Sequence, residues 1–170
     1  MASILDKQWR TLSKRKIGDI CEEVAKLVYE RPRAIHIGTD AQKHGLKTDF
    51  VTAVVVLDPG HGGVVFYAKT KMEHVNSLQH KLFSEVGLSL EIALALCEVV
   101  DSDSIEVHVD ANTNLKWDSG PFHQRLAGMV VGHGFRCVLK PDAWCASHVA
   151  DHAAKGKNEY KSKRKRYKRP

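Results

Sequence analysis

The stretches AIHIGTD (residues 34–40) and IEVHVD (residues 105–110) carry the clearest structural signal in the chain. In both, apolar side chains alternate with polar ones, which is the pattern of a strand whose two faces meet different surroundings. We therefore predict strands over residues 34–39 and 105–109. Each is followed at once by an aspartate, Asp40 in the first case and Asp110 in the second.

The flanking segments supply the other elements of the fold. A β-branched run, the turn sequence DPGHGG and a further apolar run predict a hairpin. Five strands are expected in all, over residues 34–39, 50–57, 64–69, 105–109 and 135–139. Apolar spacings of three and four predict helices over residues 17–29, 76–100, 121–131 and 143–155. Three antiparallel strands followed by two strands reached through helices predict an α/β fold, a mixed five-stranded sheet with helices on both faces.

The two aspartates are expected to lie at one end of this sheet. Alternation places His36 on the same face as Asp40, and it places Glu106 and His108 on the same face as Asp110. If the two strands are parallel neighbours, about 4.8 Å apart, the aspartates meet outside their carboxyl ends. Such a pair repels itself unless a divalent cation neutralises it. Taken singly, either aspartate also suits a turn or a helix cap.

The long central helix offers two candidate carboxylates. Glu91 has only non-polar neighbours three and four positions away, where a carboxylate is costly unless it is paired or bound to a metal. Glu85 has Lys81 one turn earlier and fits a solvated face better. We therefore favour Glu91 as a metal ligand and keep Glu85 as the second choice. A salt bridge to another element remains the alternative for Glu91.

The last predicted helix carries a fourth candidate, Asp151. It belongs to a stripe with Trp144 and His148, and small side chains beside it allow a close approach to the sheet. An exposed aspartate paired with Lys155 is the alternative. His148 and His152 also have the spacing of a helical zinc pair, which His108 could complete. Without a partnering cysteine or an HExxH pattern, scattered histidines are favoured over such a site.

These landmarks resemble the ribonuclease H-like superfamily. GTDAQ, a hairpin, a helical glutamate, VHVDAN and SHVADHAAK follow the order of that fold, and the chain is still more similar to the bacterial YkuK-like family of ribonuclease H-like proteins. The resemblance covers about residues 16–155. It implies a hydrolase in which Asp40, Glu91, Asp110 and Asp151 hold two divalent ions, Mg²⁺ or Mn²⁺, and cleave phosphodiester bonds. The loop at residues 140–142 lacks the histidine that ribonucleases H often carry before the last helix.

The charge of the chain is concentrated at its ends. The net charge is +6, but residues 1–16 carry +4 and residues 155–170 carry +8, which leaves −6 for residues 17–154. We therefore divide the chain into a domain, residues 1–154, and a basic tail, residues 155–170, that is expected to be disordered when free. A solubilising tail is one interpretation, and nucleic-acid binding is the favoured one. The candidate contacts are Lys161, Lys163, Arg164, Lys165, Arg166, Lys168 and Arg169.

Composition excludes several classes of protein. No apolar run approaches the roughly 20 residues of a membrane span, and the first residues lack the apolar core of a secretory signal. The four cysteines form no CxxC pair, which favours reduced thiols and a cytoplasmic location. The resulting hypothesis is a nuclease acting on RNA or on the RNA strand of an RNA/DNA hybrid, with no obligate protein partner. The alternative is a non-catalytic RNA- or ribonucleoprotein-binding module of the same fold.

Overall fold

A computed structural model of the chain describes residues 2–154, and for residues 150, 151, 153 and 154 it describes the backbone. The strands are β1 (Arg10–Thr11), β2 (Ala34–His44), β3 (Lys47–Asp58), β4 (Gly62–Glu73), β5 (Ile105–Asn112) and β6 (Arg136–Lys140). The α-helices are α1 (Ile20–Tyr29), α2 (Leu78–Leu96), α3 (His123–Gly132) and α4 (Cys145–Ala154). Short 3₁₀ turns occupy Ile4–Asp6, Ser102–Ser104 and Gly120–Phe122.

The strands form one mixed sheet in the order β1-β4-β3-β2-β5-β6. Strands β2, β3 and β4 are antiparallel, whereas β5 is parallel to both β2 and β6. The predicted α/β class, its five strands and the parallel pairing of the two aspartate strands are therefore confirmed. The sixth strand, β1, was not predicted because two residues are too few to show an alternating pattern.

Helices cover both faces of the sheet. Ile35 and Ile37 of β2 point into the larger core, which α1, α2 and α3 close. Val51, Val55 and Tyr67 belong to a smaller core on the other face, which Cys145 and Val149 of α4 complete. No helix within residues 2–154 is both long and apolar enough to cross a membrane.

The N-terminal segment packs into the larger core, on the face of the sheet that α1, α2 and α3 cover. Ile4 and Trp9 are both buried in the larger core, and the Trp9 indole N–H donates to the carbonyl of Ile4 at 3.2 Å. Two hydrogen-bond donors of the same segment reach α2, where the Ser3 hydroxyl and the Ile4 N–H, the latter at 3.1 Å, donate to the carboxylate of Glu91. The segment before residue 17 is thus an integral part of the fold.

The predicted position of Asp40 at the end of its strand is wrong in one respect. Strand β2 continues to His44, because its antiparallel pairing with β3 runs on to His44 and Lys47. The parallel pairing with β5, however, ends at Gly38 and His108. Asp40 therefore lies just beyond the last paired position of the parallel ladder, on the side where β2 and β5 separate.

Candidate active site

Asp40 and Asp110 are brought together by matching positions on two neighbouring strands. Gly38 pairs with His108 in the parallel register, and each aspartate follows two residues later on the same face. Both side chains are partly buried. Burial is the main cause that raises the pKa of Asp40, and the charge of the nearby Asp110 adds to the shift. The parallel crossover from β2 to β5 thus places two carboxylates at the point where the strands separate.

Helix α2 adds the carboxylate of Glu85 to this pair. Ser89, one turn after Glu85 on the same helical face, is in hydrogen-bond contact with Thr39 at 2.8 Å. Thr39 is also in contact with Thr52 of β3 at 3.0 Å, so three buried hydroxyls tie the helix to the sheet beside Asp40. We call Asp40, Glu85 and Asp110 the acidic triad.

Burial makes the negative charge of the triad costly. Glu85 is only 3% exposed. Its burial raises its pKa to about 7, with the charges of Asp40 and Asp110 adding to the shift against the opposing effect of Lys81. The pKa of Asp40 is also raised, first by burial and then by Asp110, although Lys81, the Ala41 N–H and Lys140 oppose this. Groups that resist ionisation in this way are typical of sites where a further cation is expected.

Two lysines lie against the triad. The Lys81 ammonium is 3.0 Å from Glu85 Oε1, and the Lys140 ammonium forms an ion pair with Asp110 Oδ1. Burial lowers the pKa of Lys81, but the charges of Glu85, Asp40 and Asp110 outweigh this and raise it above its ordinary value. The two ammonium groups therefore compensate part of the charge of three converging carboxylates.

Two oxygens of the triad retain coordination capacity. Glu85 Oε1 and Asp110 Oδ1 are buried, and among the described residues each has one lysine ammonium as its partner. Carboxylate oxygens are the ligands that Mg²⁺ and Mn²⁺ prefer. The residues present therefore fit divalent ions, which would add to the positive charge of the two lysines.

Glu91, the residue favoured from sequence, is directed elsewhere. It lies six residues after Glu85, about 9 Å along the helix and on a different face. Its carboxylate accepts hydrogen bonds from Ser3 and Ile4, as described above. The interpretation of Glu85 as part of a solvated face is wrong, because the face that carries it packs against the strand ends and buries it.

The remaining candidates are placed less fully. Asp151 lies on α4, within the helix, and only its backbone is described. The helix that carries it approaches the sheet closely at its start, where Cys145 Sγ contacts the carbonyl of His36 at 3.3 Å. The seven basic tail residues between Lys161 and Arg169 lie outside the described residues. The ligand roles of Asp40, Glu91, Asp110 and Asp151 stay predictions.

A second group of polar residues lies on the sheet face that carries Asp40 and Asp110, which is the face covered by α4. His36, Glu106 and His108 bring one ligand atom each to within 4.8 Å of one another. His148, which the sequence suggested as a partner of His108, is exposed and contacts the carbonyl of Trp144 instead. The signal for this His36–Glu106–His108 cluster was the alternation that places these three residues on the faces of Asp40 and Asp110.

The raised pKa of Glu85 predicts a pH-dependent effect of removing its charge. Because the pKa of Glu85 is raised to about 7 in the folded state, the folded state holds this proton more tightly than the unfolded state does. The contribution of the Glu85 carboxyl to the free energy of unfolding is therefore full below the ordinary pKa of glutamate and is lost as the pH rises through 7. In the presence of a chelator, we expect Glu85→Gln to unfold with nearly the wild-type free energy at pH 5. At pH 8 the variant should be more stable by about 1–3 kcal/mol. Urea unfolding of both proteins across this range measures the difference, and a difference that does not vary with pH would contradict the expectation.

Comparison with known proteins agrees with the fold. A family model described as Ribonuclease H-like matches residues 17–155, which is most of the chain. The chain therefore belongs to the ribonuclease H-like family, and its resemblance to the YkuK-like proteins is consistent with that assignment. Comparisons with curated proteins and with solved structures gave no match. The family assignment, together with the grouped histidine and carboxylate ligands, supports a nuclease-type function that involves divalent metal ions.

Proposed function

We propose that this protein hydrolyses phosphodiester bonds in nucleic acid with the help of divalent ions bound by the acidic triad. The observation that carries the proposal is the convergence of three buried or partly buried carboxylates, Asp40, Glu85 and Asp110, beside the point where β2 and β5 separate. Lys81 and Lys140 offset part of the repulsion among these three carboxylates, and the remaining negative charge favours a bound cation. A site for Mg²⁺ or Mn²⁺ accounts for all three.

In this proposal Asp40, Glu85 and Asp110 hold two ions, with Asp151 as the fourth ligand from α4. Glu85 thereby takes the position that the sequence assigned to Glu91. Divalent ions in such a site activate water for attack on phosphorus and stabilise the leaving oxygen. Lys81 and Lys140 pair with the triad carboxylates in the absence of ions. With ions bound, their ammonium groups would be available to meet the phosphate charge.

The substrate we propose is RNA, or the RNA strand of an RNA/DNA hybrid. The acidic body favours cations but repels a phosphate backbone, so substrate capture falls to basic groups at its margins. One such margin is a surface depression beside the triad that Lys43 and Lys81 line. The other is the tail, where the seven basic residues from Lys161 to Arg169 add a larger positive charge.

A second candidate function is RNA binding without cleavage. The observation that favours it is the pairing of Lys81 and Lys140 with two of the three carboxylates, which lowers the charge of the triad without any ion. A protein that kept these pairs permanently would retain the fold and bind RNA through its basic residues. The fold itself does not distinguish the two functions.

The proposal predicts that cleavage depends on added divalent ions. Purified protein, stripped with a chelator, is incubated with labelled single-stranded RNA, duplex RNA, RNA/DNA hybrid and DNA, each with Mg²⁺, Mn²⁺ or no ion. We expect cleavage of RNA or of the RNA strand of the hybrid with either ion, and none without. The reason is that the triad alone provides neither activated water nor charge stabilisation.

The same assay separates the two functions. Retention of RNA in gel-shift experiments without cleavage under any ion would support the binding module and overturn the hydrolase. Cleavage that persists with excess chelator would overturn the role of the ions. Cleavage of DNA alone would leave the hydrolase standing and reject RNA as the substrate.

A further inference from the structure

The His36–Glu106–His108 cluster brings its ligand atoms unusually close together. His36 Nδ1 is 3.0 Å from His108 Nε2 and 3.2 Å from Glu106 Oε2, and His108 Nε2 is 3.9 Å from the same oxygen. Both histidines are buried, with exposed fractions of 8% and 4%. The register of β2 and β5, which pairs His36 with Glu106, fixes the three residues on the face covered by α4.

Protons alone leave one of these contacts unsatisfied. The backbone N–H of Trp144 donates to His108 Nδ1 at 3.2 Å. A neutral His108 therefore carries its proton on Nε2, facing His36. If His36 Nδ1 accepts a hydrogen bond from this Nε2–H group, the lone pair of Nδ1 also faces the carboxylate of Glu106. If His36 Nδ1 instead donates to Glu106, two N–H groups face each other. Both arrangements are costly in a buried site.

We propose that His36, Glu106 and His108 form a binding site for a transition-metal ion of the zinc class, separate from the acidic triad. In tetrahedral zinc sites with ligands at about 2.0–2.1 Å, neighbouring ligand atoms are about 3.3 Å apart. The three separations given above scatter around that value. Imidazole nitrogen together with a carboxylate suits zinc and its neighbours in the periodic table, whereas Mg²⁺ prefers oxygen alone. An ion attracts all three lone pairs at once.

A second contact orients the carboxylate of the proposed site. Arg136 Nη1 lies 2.9 Å from Glu106 Oε1, the oxygen that does not face the histidines. This ion pair holds Oε2 toward His36. Partners of this kind behind a ligand fix its orientation in metal sites. The inference does not depend on the hydrolase function, since it uses none of the triad residues.

Metal binding has a consequence for Trp144 that makes the site observable. If His108 bound an ion through Nε2, its imidazole proton would move to Nδ1, which could then no longer accept from the backbone N–H of Trp144. The start of α4 must therefore adjust. The indole of Trp144 also packs against both imidazole rings, with centroid distances of 5.0 Å to His36 and 5.1 Å to His108. Its fluorescence should respond to an ion in the site.

The test is a titration of the full chain with Co²⁺ and with Zn²⁺, in the presence of excess Mg²⁺ to occupy the acidic triad. We expect the visible absorption of Co²⁺ in a four- or five-coordinate site, at one ion per chain, with quenching of Trp144 fluorescence. Zn²⁺ should displace the Co²⁺ signal. Absence of a Co²⁺ spectrum of this type, or a spectrum without any change of Trp144 fluorescence, would overturn the proposal.

Two variants and two controls assign the signal to these residues. His108→Asn removes the Nε2 ligand but keeps an acceptor for the backbone N–H of Trp144. Glu106→Gln removes the ligand charge at a partly exposed position. Each should weaken Zn²⁺ binding by at least about tenfold. His133→Asn, which replaces an exposed histidine, and Asp110→Asn, which disables the triad, should leave the Co²⁺ spectrum unchanged. Loss of the spectrum in Asp110→Asn, or its retention in Glu106→Gln, would contradict the site, whatever the outcome of the cleavage assays.

Discussion

Glu85→Gln is expected to lower the rate of metal-dependent cleavage by about 100- to 1000-fold, while Glu91→Gln leaves the rate close to that of the wild type. A metal ligand contributes several kcal/mol of transition-state stabilisation, and each factor of ten corresponds to about 1.4 kcal/mol. Glutamine keeps the size of the side chain but loses the charge. Only at Glu85 does that charge lie beside Asp40 and Asp110.

The same pair of variants should respond in the opposite order when stability is measured. Glu91 accepts hydrogen bonds from Ser3 and Ile4, and glutamine in its place keeps an acceptor but loses the charge that strengthens both bonds. We expect Glu91→Gln to lower the free energy of unfolding by about 1 kcal/mol. Glu85→Gln should not lower it, because it removes a buried charge while Asp40 and Asp110 remain to balance the charge of Lys81.

Initial rates with Mg²⁺ and urea unfolding curves of the two variants provide the measurement. Asp110→Asn belongs in the same series, since it should lose cleavage as Glu85→Gln does and remain folded. Equal cleavage by Glu85→Gln and the wild type would remove Glu85 from the site. A loss of cleavage in Glu91→Gln, with its folding intact, would restore the original assignment from the sequence.

The fold was predictable because its signals are local. The alternation in residues 34–40 and 105–110 marks the two central strands, and the turn at residues 58–63 marks the hairpin beside them. The docking of the N-terminal segment has no such signal. Trp9 is 1% exposed because it is buried in the larger core, and nothing in its sequence neighbours specifies that burial.

The triad was predictable only in part, for the same reason. Asp40 and Asp110 follow from strand alternation and a parallel crossover, which are general rules of α/β folds. The choice between Glu85 and Glu91 depends on what packs against each face of α2. Lys81 beside Glu85 suggested solvent, whereas in the structure both side chains turn toward the carboxylates of the strands. Helical spacing describes neighbours within a helix and not those across the interface.

Gly38→Val is expected to cost about 2–3 kcal/mol of stability and to reduce cleavage by about 100-fold, because α4 passes directly over residue 38. A Cβ atom at this position would lie 3.0 Å from both the Cβ and the backbone N of Ala146, and 3.3 Å from the carbonyl of His108. The nearest obstacle is helix backbone, which cannot rotate away as a flexible side chain can. The valine must therefore push the start of α4 off the sheet, and with it the helix that carries Asp151.

The matched control is Gly128→Ala on α3. A Cβ at residue 128 would meet nothing within 4 Å, and alanine in an exposed helix interior should stabilise the protein by about 0.5–1 kcal/mol. Thermal unfolding gives the stability of both variants, and cleavage rates are taken well below the lower transition so that only folded protein is compared. If Gly38→Val is destabilised but cleaves at the wild-type rate, the position of α4 does not govern the site, and Asp151 is not a ligand. If instead the stability and the cleavage rate of Gly38→Val fall together, while Gly128→Ala retains full activity, the close approach at Gly38 is what holds the fourth carboxylate within reach of the acidic triad.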